Sequence, residues 1–261
     1  MNRGPAAIWV TRPADASQRT VQTLTRAGYA VIGVPVLDVG PVPPDPVPEA
    51  PWPDWLVFVS ATAVEGLVSA TRSTGFPIRA EHATPTRVAV VGQRTAEAAL
   101  AAGFTVDLTP AHQSAKGLVA AFQGIDIDGA RIWVPSGNRR GSAKDDLPEE
   151  LRRASAAVTS FKVYDTTERQ LTASELGRLE SAAPGAILFH SPSAADAVFG
   201  DHQLDIVRAW REAAPSIAIG ETTSRRLAEL GARQILTCKE PSDAGVVATL
   251  AAIEGLLPRR A

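Results

Sequence analysis

The chain has 261 residues, 45% of them hydrophobic, enough for one large or two ordinary cores. A formal net charge of −2 gives no sign of a partner as anionic as nucleic acid or a membrane surface. The single cysteine, Cys238, excludes an intramolecular disulfide framework, and no run approaches the ~20 apolar residues that a membrane-spanning helix needs.

Apolar runs of strand length alternate with helical periods, the signature of βαβ units and a mainly parallel sheet. Strands are expected at residues 7–11 and 30–34, with a helix over 17–27 between them. The opening MNRGPAAIWVTRP holds no segment apolar enough for a signal peptide, so a cytoplasmic protein is expected. Residues 40–53, GPVPPDPVPEAPWP, are too stiff and too poor in N–H donors for a sheet interior. Strands follow at 56–59, 88–91 and 106–108, with helices at 63–72, 95–102 and 115–122. Further strands are expected at 131–134, 157–162, 186–189, 216–219 and 234–237, with helices at 146–154, 194–199, 223–230 and 243–253. Residues 165–184 read as a polar, helical interlude. Gly28, Gly103 and Gly231 fall just past helices, where a left-handed C-terminal residue favours glycine.

The chain also contains itself twice. VGQRTAEAALAAGFTVDLTPAHQSAKGLVAAF, from Val91, lies without a gap on IGETTSRRLAELGARQILTCKEPSDAGVVATL, from Ile219. Gly92 meets Gly220, Thr95 meets Thr223, Ser114 meets Ser242 and Gly117 meets Gly245. FVSATAV at Phe58 pairs with FHSPSAA at Phe189, and IWV at Ile8 recurs at Ile132. A period this long indicates a duplicated α/β unit rather than a solenoid. The proline-rich stretch and the polar interlude each follow a strand at equivalent places, so the chain is expected to cross twice between two lobes. Residues 1–39 with 166–261 form one lobe, 54–161 form the other, and 40–53 and 162–165 connect them. Two consecutive domains split near Gly129 are the simpler alternative. The interwoven division is preferred because the linkers fall inside the repeats. The expected fold class is α/β: two similar lobes with parallel sheets flanked by helices, flavodoxin-like, interwoven by two crossings, with a cleft between them.

In open parallel sheets, ligands bind beyond the carboxyl ends of the strands. The segments there are Thr11-Arg12-Pro13, Ser60-Ala61-Thr62, Gly92-Gln93-Arg94-Thr95, the run from Pro135 to Arg140, Ser191-Pro192-Ser193 and Gly220-Glu221-Thr222-Thr223. Each opens a helix and offers backbone N–H groups and hydroxyls at a positive dipole end, which suits carboxylates or phosphates. Serine and threonine in these places are also ordinary N-caps. Six such turns from two lobes favour a large polyanion. Arg12, Arg94, Arg139 and Arg140 can pair with carboxylates, or can simply lie on solvated surface. Tyr164 ends a strand at a predicted crossing, where a phenol either donates a proton to a leaving group or packs at a hinge. For His190, beside Ser191, a local structural role is the preferred reading, and Cys238 in QILTC reads as buried filler. Dinucleotide and phosphate-loop glycine motifs, a GxSxG elbow and metal-ligand spacings are all missing, so neither a dinucleotide site nor a metal site is supported by the residues.

Taken in order, VTRP, GYAVIGVPVLDV, DWLVFVSATAV, VAVVGQRTAEAALAAGF, VYDTT, ILFHSPSAADAVF and IAIGETTSRRLAELGA resemble the uroporphyrinogen-III synthase family over nearly the whole chain. The resemblance implies two α/β lobes joined by a two-stranded connection, with the active site in the cleft. It implies hydroxymethylbilane as substrate, a linear tetrapyrrole with eight carboxylates. The terminal hydroxyl would leave as water, ring D would invert through a spiro intermediate, and the macrocycle would close, a lyase reaction without cofactor. The family's crossing tyrosine maps onto Tyr164, its glycine-threonine turn onto Gly220, Thr222 and Thr223, its serine turns onto Ser60 and Ser191, and its first-lobe threonine onto Thr95. With the residue-level reading this gives Tyr164 as catalytic. Arg12, Ser60, Thr62, Gly92, Thr95, Arg139, Ser191, Ser193, Gly220, Thr222 and Thr223 are the candidate substrate-binding set. Glu221 departs from the family, which often has proline there, and adds a negative charge near the substrate carboxylates. A monomer with a small-molecule substrate, and neither nucleic acid nor membrane as partner, is expected. A non-catalytic tetrapyrrole-binding regulator and a general small-anion binder are the alternatives.

Overall fold

The computed structural model describes residues 6–48, 52–74, 86–138, 146–200 and 204–253. In chain order the elements are β1 (Ala6–Val10), α1 (Ala14–Arg26), β2 (Ala30–Gly33), β3 (Leu37–Asp45), β4 (Trp55–Phe58), α2 (Ala61–Thr74), β5 (Arg87–Val90), α3 (Gln93–Ala101), α4 (Ala115–Phe122) and β6 (Arg131–Gly137). There follow α5 (Leu147–Arg153), β7 (Ala157–Glu168), α6 (Ala173–Glu180), β8 (Ala183–Phe189), α7 (Pro192–Phe199), α8 (Asp205–Ala213), β9 (Ser216–Ala218), α9 (Glu221–Glu229), β10 (Ile235–Thr237) and α10 (Asp243–Ala251).

The strands form two five-stranded sheets, ordered β10-β9-β8-β1-β2 and β3-β7-β6-β4-β5. All neighbours in the first sheet are parallel, as are β5, β4, β6 and β7 in the second. Numbered within its own sheet, the first reads 2-1-3-4-5, the flavodoxin-like doubly wound order. The repeated segments take equivalent places. IWV lies in β1 and β6, FHSPSAA begins at the end of β8, and FVSATAV begins at the end of β4. The copies differ in chain order, because β6 and β7 follow β4 and β5, whereas β1 and β2 precede β8 and β9.

The chain divides into two compact units, Met1–Asp38 with Thr167–Ala261, and Val39–Thr166. The first boundary falls in β3 and the second in β7. Strands covered on both faces read as unbroken apolar runs, and each strand alternates its side chains between two cores. In the discontinuous unit Trp9, Ile187 and Phe189 join one cluster, and Ile8, Val10 and Leu188 join the other. In the continuous unit Trp55 and Val57 lie in one cluster, and Leu56 and Phe58 lie in the other.

Gly28, Gly103 and Gly231 have φ of 91°, 82° and 80°, the left-handed helix ends expected of them. Three elements differ from expectation. Part of the proline-rich run forms β3, and β3 is an edge strand with a sheet neighbour on one side only, the position in a sheet where proline is tolerated. Residues 106–108 contribute only a bridge from Leu108 to Ala89. Helix α8 was not expected; it is anchored by the fully buried Trp210, whose Nε1 donates to the Leu179 carbonyl at 3.2 Å.

Candidate active site

The serine turns form as N-caps. Ser60 Oγ accepts the Ala63 N–H at 3.1 Å at the start of α2, and Ser191 Oγ accepts the Ala194 N–H at 3.2 Å at the start of α7. Thr62 and Ser193, in the first helical turns, are half-buried. Beyond β1, Thr11 is fully buried and its hydroxyl donates to the Leu188 carbonyl at 2.8 Å, which fixes the turn to β8. Arg12 is half-buried, and its Nη1 donates to Thr20 Oγ1 at 3.4 Å. The Thr20 hydroxyl in turn donates to Asp243 Oδ1 at 2.7 Å, so Arg12 is drawn toward the seam of α1 and α10.

The two glycine turns match in sequence and differ in surroundings. Gly92 and Gly220 precede α3 and α9 with φ of −168° and −175°, extended backbone open to any residue. At Gly92, Gln113 Oε1 accepts the Gln93 N–H at 3.1 Å, and a Cβ added to the glycine would meet that oxygen at 2.8 Å. At Gly220 a Cβ would meet nothing within 4 Å. The repeat places Pro241 where Gln113 stands, and a proline side chain has no amide oxygen to offer. A carboxamide oxygen thus already sits on the positive end of α3, whereas α9 begins in open space. Thr95 and Thr223 are both buried at 7% and 3%, on the inward sides of their helices. Thr222 and Glu221 are exposed in the first turn of α9. Gln113 was absent from the sequence-derived set because it lies 20 residues from its partner and no local pattern marks it.

The remaining repeat matches have structural causes. Ser114 and Ser242 cap α4 and α10 by accepting from Gly117 and Gly245, each at 3.0 Å. A Cβ on either glycine would fall about 2 Å from a loop carbonyl, that of His112 or Glu240.

Tyr164 lies in a β-bulge. Ser136 pairs with Lys162 and Gly137 pairs with Tyr164, which leaves Val163 as the extra residue. Regular alternation would put Lys162 and Tyr164 on one face. The bulge instead sends Tyr164 to the side of Phe161 and Val163, against the cluster that holds Phe58 and Trp133. Lys162 pairs with Asp165, Nζ to Oδ1 at 3.2 Å. Just past β7, Arg169 binds the Pro35 carbonyl at 3.1 Å and Glu175 at 2.7 Å, which ties this strand's exit to the end of β2. Burial would raise the Glu175 carboxyl, but hydrogen bonds from Arg169 and Thr172 outweigh it and hold the group below its ordinary pKa. Arg139, named in the sequence, and its neighbour Arg140 lie outside the described residues. His190 is half-buried at the end of β8, and Cys238 is buried, its thiol pKa raised by desolvation. Among the described residues no group of three or more His, Cys, Asp or Glu could hold a metal ion, and no helix is long and apolar enough to cross a membrane.

Two mainly parallel sheets with helix N-termini at their strand ends, the first in flavodoxin-like order, define a class: a doubly wound α/β protein, suited at those turns to anionic ligands. Within that class the match is specific, because the family model for uroporphyrinogen-III synthase HemD covers residues 18–248. The chain belongs to the uroporphyrinogen-III synthase family. A putative uroporphyrinogen-III synthase of Methanothermobacter thermautotrophicus is 29% identical over 233 residues, 85% of this chain and 88% of that one. The uroporphyrinogen-III synthase of Synechococcus elongatus is 30% identical over 167 residues, 61% of this chain and 60% of that one. In fold, the chain is similar to the uroporphyrinogen-III synthetase of Helicobacter pylori, with TM-score 0.62 at 18% identity over 96% of this chain and all of that one. A mutant enzyme of Thermus thermophilus gives 0.57 at 16% identity over 96% and 99%.

Proposed function

We propose that the protein closes hydroxymethylbilane to uroporphyrinogen III, as a cofactor-independent lyase. The family match across residues 18–248 carries this reading. The linear substrate loses its terminal hydroxyl as water, ring D inverts through a spiro intermediate, and the ring closes. The leaving oxygen takes a proton as its carbon–oxygen bond breaks, and the phenol of Tyr164 is the group assigned to assist it. The substrate's many carboxylates give the protein handles for folding a flexible chain into a cyclisable shape, which is catalysis by orientation. The N-cap Gly220 and the exposed Thr222 in the first turn of α9 are the preferred carboxylate contact, with the Ser60 and Ser191 turns beside their helix N-termini. Arg12, Thr62, Gly92, Thr95, Arg139, Ser193 and Thr223 complete the candidate set, with Thr95 and Thr223 acting from buried positions that hold their turns. The reading extends to a monomer acting in the cytoplasm, which size-exclusion chromatography and cell fractionation check.

The deciding experiment supplies freshly generated hydroxymethylbilane and separates the oxidised products into isomers I and III. Excess isomer III is expected. Isomer I alone from folded protein rejects the enzyme reading and leaves a tetrapyrrole-binding regulator as the alternative.

A further inference from the structure

We propose that Gly137 and Asn138 are positioning residues for Tyr164, forming a shelf and a clamp that set where its hydroxyl points. The inference rests on the role assigned to Tyr164 above. A Cβ on Gly137 would stand 2.4 Å from Tyr164 Cε2, 2.5 Å from Cζ and 2.9 Å from the hydroxyl oxygen. The ring therefore lies directly on the Gly137 backbone, in space that any side chain at 137 would take. Gly137 does not have the left-handed φ that favours glycine, so its backbone accepts any residue and only the ring requires the glycine. Immediately beyond, Asn138 clamps the strand that carries the tyrosine. Its Oδ1 accepts the Thr166 N–H at 2.8 Å and its Nδ2 donates to the Thr166 carbonyl at 3.2 Å. From the helix side, a Cβ on Gly66 of α2 would sit 2.8 Å from the Val163 carbonyl, so a small residue there lets α2 close over the bulge. The bulge turns Tyr164 toward Gly137, the glycine leaves room for its ring, and Asn138 holds the strand two residues further on.

The first copy of the repeat has no counterpart of this shelf. Aligning the two IWV segments puts Pro13 opposite Gly137 and Arg12 opposite Ser136, but there the first copy has already left β1 for the N-cap of α1, whereas Gly137 is still in β6 and paired with Tyr164. The extension of β6 and the glycine that ends it belong to the copy that carries Tyr164.

The test compares Gly137→Ala, Tyr164→Phe and the double variant in isomer III formation. Gly137→Ala and Tyr164→Phe are each expected to lower kcat about tenfold or more with KM within about twofold, because a displaced or missing hydroxyl is lost only in the transition state. The double variant is expected to be no slower than Tyr164→Phe, since the hydroxyl cannot be lost twice. The chain has two tyrosines, so ring-labelled tyrosine gives two sets of magnetic resonance signals. Gly137→Ala is expected to move the set that Tyr164→Phe abolishes and to leave that of the buried Tyr29. Wild-type kcat or unmoved Tyr164 signals in Gly137→Ala, beside a slow Tyr164→Phe, overturn the shelf alone, as do losses that multiply in the double variant. Wild-type kcat in Tyr164→Phe overturns the role of Tyr164 and this inference with it. Should Gly137→Ala fail to fold, Asn138→Ala leaves the ring its space and releases Thr166. A fall in kcat of about threefold or more that vanishes in the Tyr164→Phe background then supports the clamp, and an unchanged kcat overturns it.

Discussion

Glycine occupies the same repeat position twice, at Gly92 and Gly220, for different reasons. Gly92 makes room for the Gln113 carboxamide, while Gly220 borders open space. Alanine at Gly220 should cost roughly 0.5 kcal/mol as a poorer N-cap, and a stiffer unfolded chain offsets about as much. The folded state should therefore barely register Gly220→Ala. A carboxylate seated on the first amides of α9 would register it, and KM should rise about fivefold or more as the methyl displaces the ligand, following the loss of uniform binding. An unchanged KM would remove this turn from the binding set. Gln113→Ala should lower stability by about 0.5–1.5 kcal/mol, the worth of one net hydrogen bond, read from denaturant unfolding. The serine caps were legible in the sequence because a cap is local, with donor and acceptor three residues apart. Gln113 was not, and neither was the aim of Tyr164, because a bulge breaks the period of two that sequence reasoning relies on.

Strand β4 begins with a charged latch. Asp54 Oδ2 accepts the Arg131 N–H at 2.8 Å, and its Oδ1 meets Arg131 Nη2 at 3.1 Å, joining the starts of β4 and β6. Hydrogen bonding from the Arg131 side chain, chiefly, holds the Asp54 carboxyl below its ordinary pKa. A depressed folded value means that the latch contributes fully above the unfolded pKa of about 3.9 and is lost as pH falls through the folded value. Asp54→Asn should thus lower stability at neutral pH and flatten the loss below about pH 4. The effect should be modest and should shrink in salt, because both groups are more than a third exposed. An acid limb that stays unchanged in Asp54→Asn would assign acid sensitivity elsewhere. At the start of α7, Ser191→Ala should remove about 1 kcal/mol of stability by losing the cap, measured by denaturant unfolding. Turnover that falls in step with stability would leave Ser191 a cap and nothing more. Most strands and helices were legible because buried parallel strands and amphipathic helices carry their period in a few residues. Strand β3 was obscured because its prolines argue against a sheet, and only its edge position, a property of the whole sheet, reconciles them. Helix α8 was obscured because its anchor, Trp210, finds its partner 31 residues away.

At the scale of the molecule, the copies were visible in the sequence, but their opposite chain order has a consequence for folding. The unit spanning Val39–Thr166 is continuous, while the other must gather two segments of chain. Both hydrophobic clusters of the continuous unit draw only on residues within it, and cover the two faces of one sheet. It is also about the size of an ordinary autonomous domain. A fragment of residues 37–168, which keeps β3 and β7 whole, should therefore fold alone and unfold cooperatively in denaturant. Residues 167–261 lack β1, which stands between β8 and β2 in its sheet. Without it, the fully buried Ile8, Trp9 and Val10 leave both adjoining cores short of their central strand. That fragment should show little stable structure by circular dichroism and should gain it only when residues 1–38 are supplied. Because β1 and β2 must then find β8 across more than a hundred intervening residues, the intact chain should acquire the core around Trp55 before the core around Trp9, since non-local pairings close late. Pulse-labelled hydrogen exchange reads that order directly. Protection appearing first in β1 and β8 would show that the discontinuous unit nucleates the fold.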